Sequence, residues 1–441
     1  MGWTVTTHDW SHEVDTDHLL RARELSESLG DALPVHLVLE VVAYADDEAA
    51  ATGRRGHVTV TVDGPDVEVV DDGRGTDTRR DEAGRPVRKP VMATRDVRFF
   101  DAEDPPVLPD GLPRRGMSTV AAVSPVLVHE NRRREGAWRQ SYRHGCPDSE
   151  LREVPWSGHS GTSVTLRLPT SVSLDVERLE VLVREFTEVN VVVEEALSGG
   201  NASAGVVRVG DTMRKPWLRT TPRTADFTHE LRRRGIDVPE LRGRDDRGRQ
   251  VLDFVPGDLA MDRTPLDTTT VRRAGTLIRR IHDASEGLEV PADWEVLIPA
   301  DGPDLVCHND LAPWNLVIDG DRLVFIDWGG AGPSTRLWDL AYAALAFGHL
   351  FPGADVEDSA ARLSAFVDGY AADEELRVSL PEAMGDRAAA MHELLRSSHA
   401  RGREPWGSMY IDGHGEHWAR TTRLIREHEQ RWALALRRGA R

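Results

Sequence analysis

The sequence is short of lysine, cysteine and long apolar runs. Only two of its 55 lysine and arginine residues are lysines, Lys89 and Lys215, so chemistry that needs a primary ammonium group has two candidates. The two cysteines, Cys146 and Cys307, lie far apart without metal-site spacing, which argues against a disulfide framework and favours a reducing, cytoplasmic compartment. No run approaches the ~20 apolar residues of a membrane span, and the acidic, histidine-containing start does not resemble a signal peptide.

Acidic residues outnumber basic ones, and the formal net charge is −19. Nucleic acids and anionic membranes attract clustered cations, so this balance argues against either as a partner. Hydrophobic residues make up 39% of the chain and charged residues 29%, which is ordinary for a globular protein. The 441 residues are enough for two or three domains with cores of their own.

The first half alternates helical and strand patterns. A helix is predicted from Pro34 to Gly53. Alternating apolar residues around an Asp-Gly pair predict a hairpin, and a second hairpin turns at Arg134–Gly136. Residues 76–115 form a long loop or lid, and "GTSVTLRLP" is a further strand. One apolar face of a later helix is expected to hold Leu179, Leu182, Val183, Phe186 and Val189.

A new unit begins near Val191. Strand patterns on both sides of the small-residue stretch "SGGNASAG" predict strand, loop and two more strands, followed by a short helix. The pattern is mainly helical from residue 268 onward, interrupted by two short strands around 305–328. The sequence contains no internal repeat.

The most informative stretch of the chain contains Asp310, Asn315 and Asp327. Their spacing puts two short loops at neighbouring strand ends. Phosphoryl transfer needs metal ions that bridge the phosphates and a carboxylate that orients the attacking hydroxyl. Asp310 is therefore expected to accept the proton of a substrate hydroxyl, while Asn315 and Asp327 hold Mg²⁺ through hard oxygen ligands.

This stretch resembles the aminoglycoside phosphotransferase and choline kinase-like family. The family's H-x-D-x-x-x-x-N loop is present as His308–Asn315, its metal motif as "IDWGGAG", and its W-D-L-A helix start as Trp338–Ala341. The resemblance implies a bilobal, protein-kinase-like fold that uses ATP and Mg²⁺ to phosphorylate a small-molecule hydroxyl, with His308 and Asp339 bracing the loop. Asn309 stands where the family has glycine, and asparagine tolerates the positive φ required there.

The resemblance extends to the smaller lobe. The "SGGNASAG" loop, with Ser203, would cover the ATP phosphates. Lys215 falls on the third strand, where the family places the lysine that contacts the α- and β-phosphates, and Glu230 on the next helix would be its partner. Arg214 is an alternative phosphate cation, with Lys215 then a surface charge. The hinge that binds adenine through its backbone would include Asp253 and Val255.

Residues 35–190 resemble the ATPase domain of gyrase B, a member of the GHKL or Bergerat-fold group. The matching motifs are "LVLEVVAYADDEA", "VVDDGRG", "GLPRRGMSTVAAVS", "RREGAWRQSYRHG" and "GTSVTLRLP". Together the two resemblances imply an α+β protein of two domains. The predicted parts are a Bergerat-type α/β sandwich at 1–192, a kinase-like N-lobe at 193–257 and a helical C-lobe at 258–441.

The gyrase-like half departs from its family at the metal site. Asp71 would accept a hydrogen bond from an adenine amino group, assisted through water by Thr162, and Glu40 would be the water-activating base. Tyr44, however, stands where the family has its magnesium-binding asparagine, so ATP hydrolysis is expected to be weak or absent. The predicted ligand pocket comprises Glu40, Tyr44, Asp47, Asp71, Gly73, Arg74, Gly75, Arg134 and Thr162.

Three functions remain open from the sequence. The first is a phosphotransferase acting on a small molecule, with the gyrase-like pocket capturing that substrate, a gyrase-directed antibiotic, as a resistance mechanism. The second is a metabolite or aminoglycoside kinase with a regulatory or partner-binding GHKL domain. The third is a GHKL ATPase with an accessory kinase-like domain; Tyr44 and the missing second gyrase subdomain count against it.

Overall fold

The computed structural model describes residues 14–76, 82, 84, 90–100, 102–170, 172–197 and 205–437. These residues fall into two compact units. Unit 1 runs to Leu197 and includes Val207–Gly210, and unit 2 comprises Gly205, Val206 and the residues from Asp211 onward. Both units combine helices with sheets, which confirms the predicted α+β class. Ser203 and Lys89 lie outside the described residues.

The described part of unit 1 contains four α-helices and one mixed sheet. The helices are α1 (Thr16–Glu27), α2 (Leu33–Thr52), α3 (Met117–Val123) and α4 (Val176–Leu182). The strands are β1 (Gly56–Asp63), β2 (Asp66–Asp71), β3 (Leu127–Arg133), β4 (Gly136–Arg143), β5 (Cys146–Pro147), β6 (Arg152–Val154), β7 (Gly161–Arg167), β8 (Val189–Ala196) and β9 (Val207–Val209). They pair in the order β9-β8-β1-β2-β7-β3-β4-β5, with β6 beside β4. Only β1 and β8 among these pairs are parallel.

The predicted first helix and first hairpin are confirmed. α2 has Pro34 in its first turn and ends where Gly53 takes φ +64°, a left-handed conformation that glycine adopts at little cost. The alternation of valines along β1 and β2 sends every second side chain into the core under α2. The buried valines of this hairpin are Val58, Val60, Val62, Val67 and Val69.

The helix predicted around residues 174–190 is shorter than its apolar pattern suggests. Leu179 is in the core as expected, but the backbone becomes extended at Phe186, and Val189 opens β8 beside Gly56 of β1. The assignment of Val189 to the helix is wrong, because pairing with β1 outweighs the helical periodicity. The pairing of β8 with β1 continues to Glu195, so the boundary expected at 192/193 falls inside this strand.

Unit 2 contains three small sheets and eight α-helices in its described residues. The strands are β10 (Thr212–Lys215), β11 (Leu241–Arg244), β12 (Gln250–Asp253), β13 (Asp258–Leu259), β14 (Leu305–Cys307), β15 (Leu316–Asp319), β16 (Arg322–Phe325) and β17 (Gly332–Ser334). They pair as β11-β12-β10, β13-β15-β16 and β14-β17. The helices are α5 (Thr221–Arg233), α6 (Thr268–Ser285), α7 (Arg336–Phe347), α8 (Val356–Tyr370), α9 (Glu374–Arg401), α10 (Trp406–Met409), α11 (Gly415–Glu427) and α12 (Glu429–Leu436).

Helices α6 and α8 cross closely in the core of unit 2. A Cβ atom on Gly275 of α6 would lie 2.2 Å from the carbonyl oxygen of Phe366, and one on Gly369 of α8 would lie 2.0 Å from that of Arg272. The backbones can therefore approach this closely only because neither position carries a side chain. This contact fixes the core against which the catalytic loop is built.

Of the described helices, none is by itself long and apolar enough to cross a bilayer. The helical segments Thr16–Glu27 and Gly30–Thr52 together have the length and apolar composition of a membrane span, but they are bent by 114° relative to each other. Most of α2 is buried in the core of unit 1.

Candidate functional site

The catalytic loop of unit 2 connects β14 to β15 and presents Asp310. The amide Nδ2 of Asn315 donates hydrogen bonds to the carbonyl oxygen of Asp310 at 2.9 Å and to its carboxylate Oδ2 at 2.8 Å. Burial raises the pKa of Asp310 to about 6; the charge of Asp327 acts in the same direction, while hydrogen bonds from Asn315 and Tyr342 oppose it. Asp310 is thus a positioned carboxylate whose pKa lies close to neutral pH, as suits a general base.

His308 and Asp339 stabilise the loop through hydrogen bonds. The Nε2 of His308 donates to the carbonyl oxygen of Ile326 at 3.1 Å, and its Nδ1 accepts from the amide of Asp310 at 3.3 Å. The carboxylate of Asp339 accepts from the amide of Asn309 at 2.9 Å. Asn309 has φ +66°, so asparagine adopts the conformation expected where the family has glycine.

Lys215 and Asp327 form an ion pair in the same cleft. The distance from Lys215 Nζ to Asp327 Oδ1 is 3.0 Å. Burial acts to raise the pKa of Asp327, but the Lys215 ammonium holds it below its usual value. Arg214 instead donates to the Thr212 hydroxyl at 2.6 Å and lies 3.6 Å from Asp245. Of the two candidate cations, Lys215 is therefore the one beside the catalytic loop.

The predicted pairing of Lys215 with Glu230 is wrong. Glu230 accepts hydrogen bonds from Arg233 and Arg234 on its own helix α5, each at 2.9 Å. Arginines three and four residues away on a helix are natural partners for a glutamate. The carboxylate that pairs with Lys215 is Asp327.

The cleft beside Lys215 is a cavity of about 150 Å³ that is also lined by Gln250, Leu252 and Trp328. Of the hinge predicted over Val251–Gly257, Leu252 lines this cavity, whereas Asp253 and Val255 do not. The amide of Asp253 donates to the carbonyl oxygen of Glu240 at 3.1 Å, and its carboxylate accepts from Arg242 at 2.6 Å. The amide and carboxylate of Asp253 are therefore used in contacts inside the small sheet, while adenine binding through the backbone of Asp253 and Val255 stays a prediction.

Asn315 and Asp327 fit a divalent cation by the chemistry of their donor atoms. The Nδ2 of Asn315 is committed to Asp310, which leaves its Oδ1 for another contact. Asp327 supplies a carboxylate with a lowered pKa. Such hard oxygen donors are those that Mg²⁺ binds in phosphotransfer sites.

Two residues that contact the Asp310 loop were missed by the sequence reasoning. Tyr342 of α7 is hydrogen-bonded to Asp310. The guanidinium of Arg387 from α9 lies 4.4 Å from the centre of the Tyr342 ring and donates to the carbonyl oxygen of Asn309 at 3.3 Å. Tyr342 follows Trp338 by one helical turn, a spacing that places both on one face of α7. Arg387 lies far away in sequence, without a local motif to indicate it.

Unit 1 contains a larger cavity of about 540 Å³ with Asp71 in its wall. Asp71 accepts hydrogen bonds from the amide of Gly73 at 2.8 Å, from the amide of Thr162 at 3.2 Å, and from the Thr162 hydroxyl. Burial raises the pKa of Asp71. The cavity is also lined by Val41, Tyr44, Asp47, Arg74, Gly75, Met92, Met117, Asn131, Arg133, Trp138, Tyr142 and Val164.

Side chains fill the Tyr44 end of this cavity. The Tyr44 hydroxyl donates to Asp96 at 3.0 Å and accepts from the amide of Met117 at 3.3 Å. The guanidinium of Arg114 lies 4.5 Å from the Tyr44 ring centre and 4.1 Å from that of Phe99. Burial raises the pKa of Tyr44, so it remains a neutral phenol. A neutral phenol is a poor ligand for Mg²⁺.

Three predicted pocket residues, Glu40, Gly73 and Arg134, do not line the cavity. Glu40 is fully buried, and its two carboxylate oxygens accept the amides of Arg115 and Gly116. Both of its carboxylate oxygens are therefore used in contacts with the backbone at residues 115 and 116. Arg134 is exposed at the turn between β3 and β4, and its neighbour Arg133 lines the cavity instead. A shift of one residue at the end of a strand moves the side chain to the other face.

The glycine-rich turn after Asp71 shapes the cavity wall. Gly75 has φ +71°, and a Cβ atom there would lie 2.6 Å from the carbonyl oxygen of Arg132. Gly73 lies outside the lining of the cavity, beside a smaller hollow. Arg74 lines the cavity and donates to Glu48 at 2.6 Å.

Residues 288–376 match a family model described as "APH: Phosphotransferase enzyme family". This range includes Asp310, Asn315 and Asp327. This stretch of unit 2 is similar to the phosphotransferase family. The match confirms the kinase-like resemblance in the part of the chain where the catalytic loop and the metal-ligand candidates meet. In unit 2, the Asp310 loop and Tyr342, which lie in the matched range, form one contact network with Arg387, which lies beyond it.

Two curated relatives each match a different part of the chain. Protein LicA of Haemophilus influenzae is 51% identical over 35 residues, which are 8% of this chain and 13% of LicA. DNA gyrase B of Staphylococcus epidermidis is 27% identical over 165 residues, which are 35% of this chain and 25% of that protein. The chain therefore spans a quarter or less of these relatives. The N-terminal region is similar in sequence to gyrase B, as expected.

Among solved structures, the topoisomerase IV ATP-binding domain of Francisella tularensis, in complex with a small-molecule inhibitor, is 18% identical to this chain. The match covers 37% of this chain and 81% of that domain, with a TM-score of 0.30.

Proposed function

We propose that this protein uses ATP and Mg²⁺ to phosphorylate a hydroxyl group of an antibiotic, which the cavity of unit 1 captures. The captured molecule belongs to the inhibitors that compete with ATP at gyrase B, and its phosphorylation confers resistance. The observation that carries the proposal is the proximity of two pairs: Asn315 is hydrogen-bonded to Asp310, Lys215 is paired with Asp327, and the charge of Asp327 acts on Asp310.

Each residue of this arrangement has a chemical task. Asp310 accepts the proton of the acceptor hydroxyl as the oxygen attacks the terminal phosphorus of ATP, and ADP leaves. Lys215 interacts with the phosphates of the nucleotide. Asn315 and Asp327 would hold Mg²⁺, which supplies positive charge to the phosphates when bound. Burial, together with the nearby charge of Asp327, raises the pKa of Asp310 to about 6, which is close to neutral pH, where a general base is most effective.

The capture role is supported by the two ends of the unit 1 cavity. At one end, Asp71 offers a carboxylate to a ligand hydrogen-bond donor. At the other end, Tyr44 and Arg114 occupy the space where the family binds metal and phosphates. A cavity of about 540 Å³ whose wall combines apolar side chains such as Val41, Met92 and Val164 with charged and polar ones has the size for a drug-sized ligand that carries polar groups. The sequence similarity to gyrase B favours a ligand that also binds gyrase.

The test is a search for phosphorylated product. The protein is incubated with ATP, Mg²⁺ and a panel of aminocoumarins, other gyrase inhibitors and aminoglycosides, and each compound is analysed for the mass increment of one phosphate. We expect a product with a gyrase inhibitor, and the Asp310→Asn variant should reduce its rate by at least about 100-fold because the base is lost.

The control is Asp321→Asn, since the Asp321 side chain is fully exposed in the turn after β15. This variant should retain the wild-type rate. Product formation that survives Asp310→Asn would refute the assignment of the base. ATP hydrolysis that depends on Glu40, with no compound in the panel modified, would overturn the proposed function in favour of a GHKL ATPase.

A further inference from the structure

Arg387 is a buried cation beside the loop that carries Asp310, and in the described residues its hydrogen-bond acceptor is a backbone carbonyl, not a carboxylate. Its side chain is 5% exposed, and Nη2 donates to the carbonyl oxygen of Asn309 at 3.3 Å. Nη1 is buried, and within the described parts of the chain it has no hydrogen-bond partner. The charges of Asp310 and Asp339 act on Arg387, but in the described residues neither carboxylate is hydrogen-bonded to it. The guanidinium therefore keeps unused hydrogen-bonding capacity close to Asp310.

The aromatic rings around Arg387 offset only part of the free-energy cost of removing its charge from water. The guanidinium lies over the Tyr342 ring at 4.4 Å and near the Trp338 ring at 5.7 Å, and both contacts are favourable cation–π interactions. Buried charges are normally paired and hydrogen-bonded, because desolvation is costly. Arg377 on the same helix shows the normal case, since it is equally buried but bonded to Asp368 at 2.8 Å.

We propose that Arg387 selects the phosphate acceptor by binding an anionic or carbonyl oxygen near the hydroxyl that is phosphorylated. This inference rests on the proposed function of the same site. Tyr342 connects Arg387 to the base, because its hydroxyl bonds to Asp310 while the guanidinium covers its ring. An oxygen atom of the acceptor that binds Nη1 would supply the hydrogen-bond acceptor that the described residues do not provide.

The same residue disfavours cationic acceptors. The face of Tyr342 that could attract a cation is covered by Arg387, and a second positive charge would be repelled in a site of low dielectric. We therefore expect acceptors with carboxylate, phenolate or carbonyl oxygens to bind better than polyamines of similar size. In the antibiotic panel, polycationic aminoglycosides should be poorer substrates than acidic or neutral compounds.

The test compares the binding of small probes that differ in charge. Dissociation constants of benzoate, benzyl alcohol and benzylamine are measured by ligand-observed NMR on the full chain with Mg²⁺ and a non-hydrolysable ATP analogue. We expect benzoate to bind at least about tenfold more tightly than benzylamine. Arg387→Gln should reduce this preference to less than about threefold, whereas Arg387→Lys should retain part of it.

The matched control is Arg396→Gln, an exposed position on the same helix α9, which should leave the preference unchanged. Equal binding of benzoate and benzylamine to the wild type would overturn the inference. So would a preference that survives Arg387→Gln, because benzoate would then be bound elsewhere. Lower thermal stability of Arg387→Gln with unchanged probe preference would show a structural role only. Since binding needs no phosphate transfer, failure here is distinguishable from failure of the proposed function.

Discussion

At the scale of single residues, the proposed chemistry depends on the protonation of Asp310. Its pKa is raised to about 6, mainly by burial, and only the ionised carboxylate can accept the hydroxyl proton. Phosphate transfer should therefore be lost as the pH falls through about 6 and reach a plateau above it. The hydrogen bond from Tyr342 moves the pKa of Asp310 in the opposite direction from burial.

Replacement of Tyr342 by phenylalanine tests this coupling. Without the hydroxyl, Asp310 loses a donor that stabilises its ionised form, so its pKa should rise and the acid limb of the pH–rate profile should move to higher pH. The rate near pH 6 should then fall several-fold while the rate at high pH changes less. The measurement is kcat/KM against pH, with Tyr410→Phe as the control. An acid limb that stays in place or moves to lower pH would contradict the predicted coupling.

The sequence predicted the reacting residues better than their partners. The spacing of Asp310, Asn315 and Asp327 indicated their grouping because a short loop and a hairpin leave few other arrangements. The partner of Lys215 could not be predicted, because Glu230 has arginines nearby on its own helix. Arg134 was predicted in the pocket instead of Arg133 because neighbouring residues of a strand point to opposite faces, so an error of one residue reverses the prediction.

At the scale of elements, strong local signals were confirmed and long-range pairing was not foreseen. α2 begins and ends at the predicted proline and glycine because these residues act on the backbone directly. Val189 fits a helical stripe by spacing, but it pairs in β8 with β1, more than a hundred residues earlier in the chain. Arg387 likewise reaches the catalytic loop only through the packing of α9.

The crossing of α6 and α8 gives a prediction for Gly275. A methyl group at this position would meet the backbone oxygen of Phe366, which cannot rotate away. We expect Gly275→Ala to lower the free energy of unfolding by about 1–3 kcal/mol, as measured by urea denaturation. Gly385→Ala on α9 is the control, because its nearest neighbours are flexible side-chain atoms of Arg426 at 3.5 Å. Equal stability of Gly275→Ala and the wild type would contradict the tight crossing.

At the scale of the whole molecule, the two units carry different parts of one proposed activity. Unit 1 provides a cavity with Asp71 exposed to a ligand and with Tyr44 and Arg114 at the other end. Unit 2 provides Asp310 and Lys215, the proposed base and the proposed phosphate-binding cation. The sequence indicated both units through their motifs. The identity of the captured molecule depends on the shape and charge of the cavity, which no short motif specifies.

The most direct test of capture by one unit and transfer by the other is the kinetics of Asp71→Ala with an aminocoumarin as acceptor. Loss of a hydrogen bond to a charged group should raise KM by about 10- to 100-fold, while kcat at saturation stays close to that of the wild type. Asp72→Ala, which changes an exposed acid bonded to His57, should leave both constants unchanged. Identical kcat and KM for Asp71→Ala and the wild type would contradict capture by the cavity of unit 1.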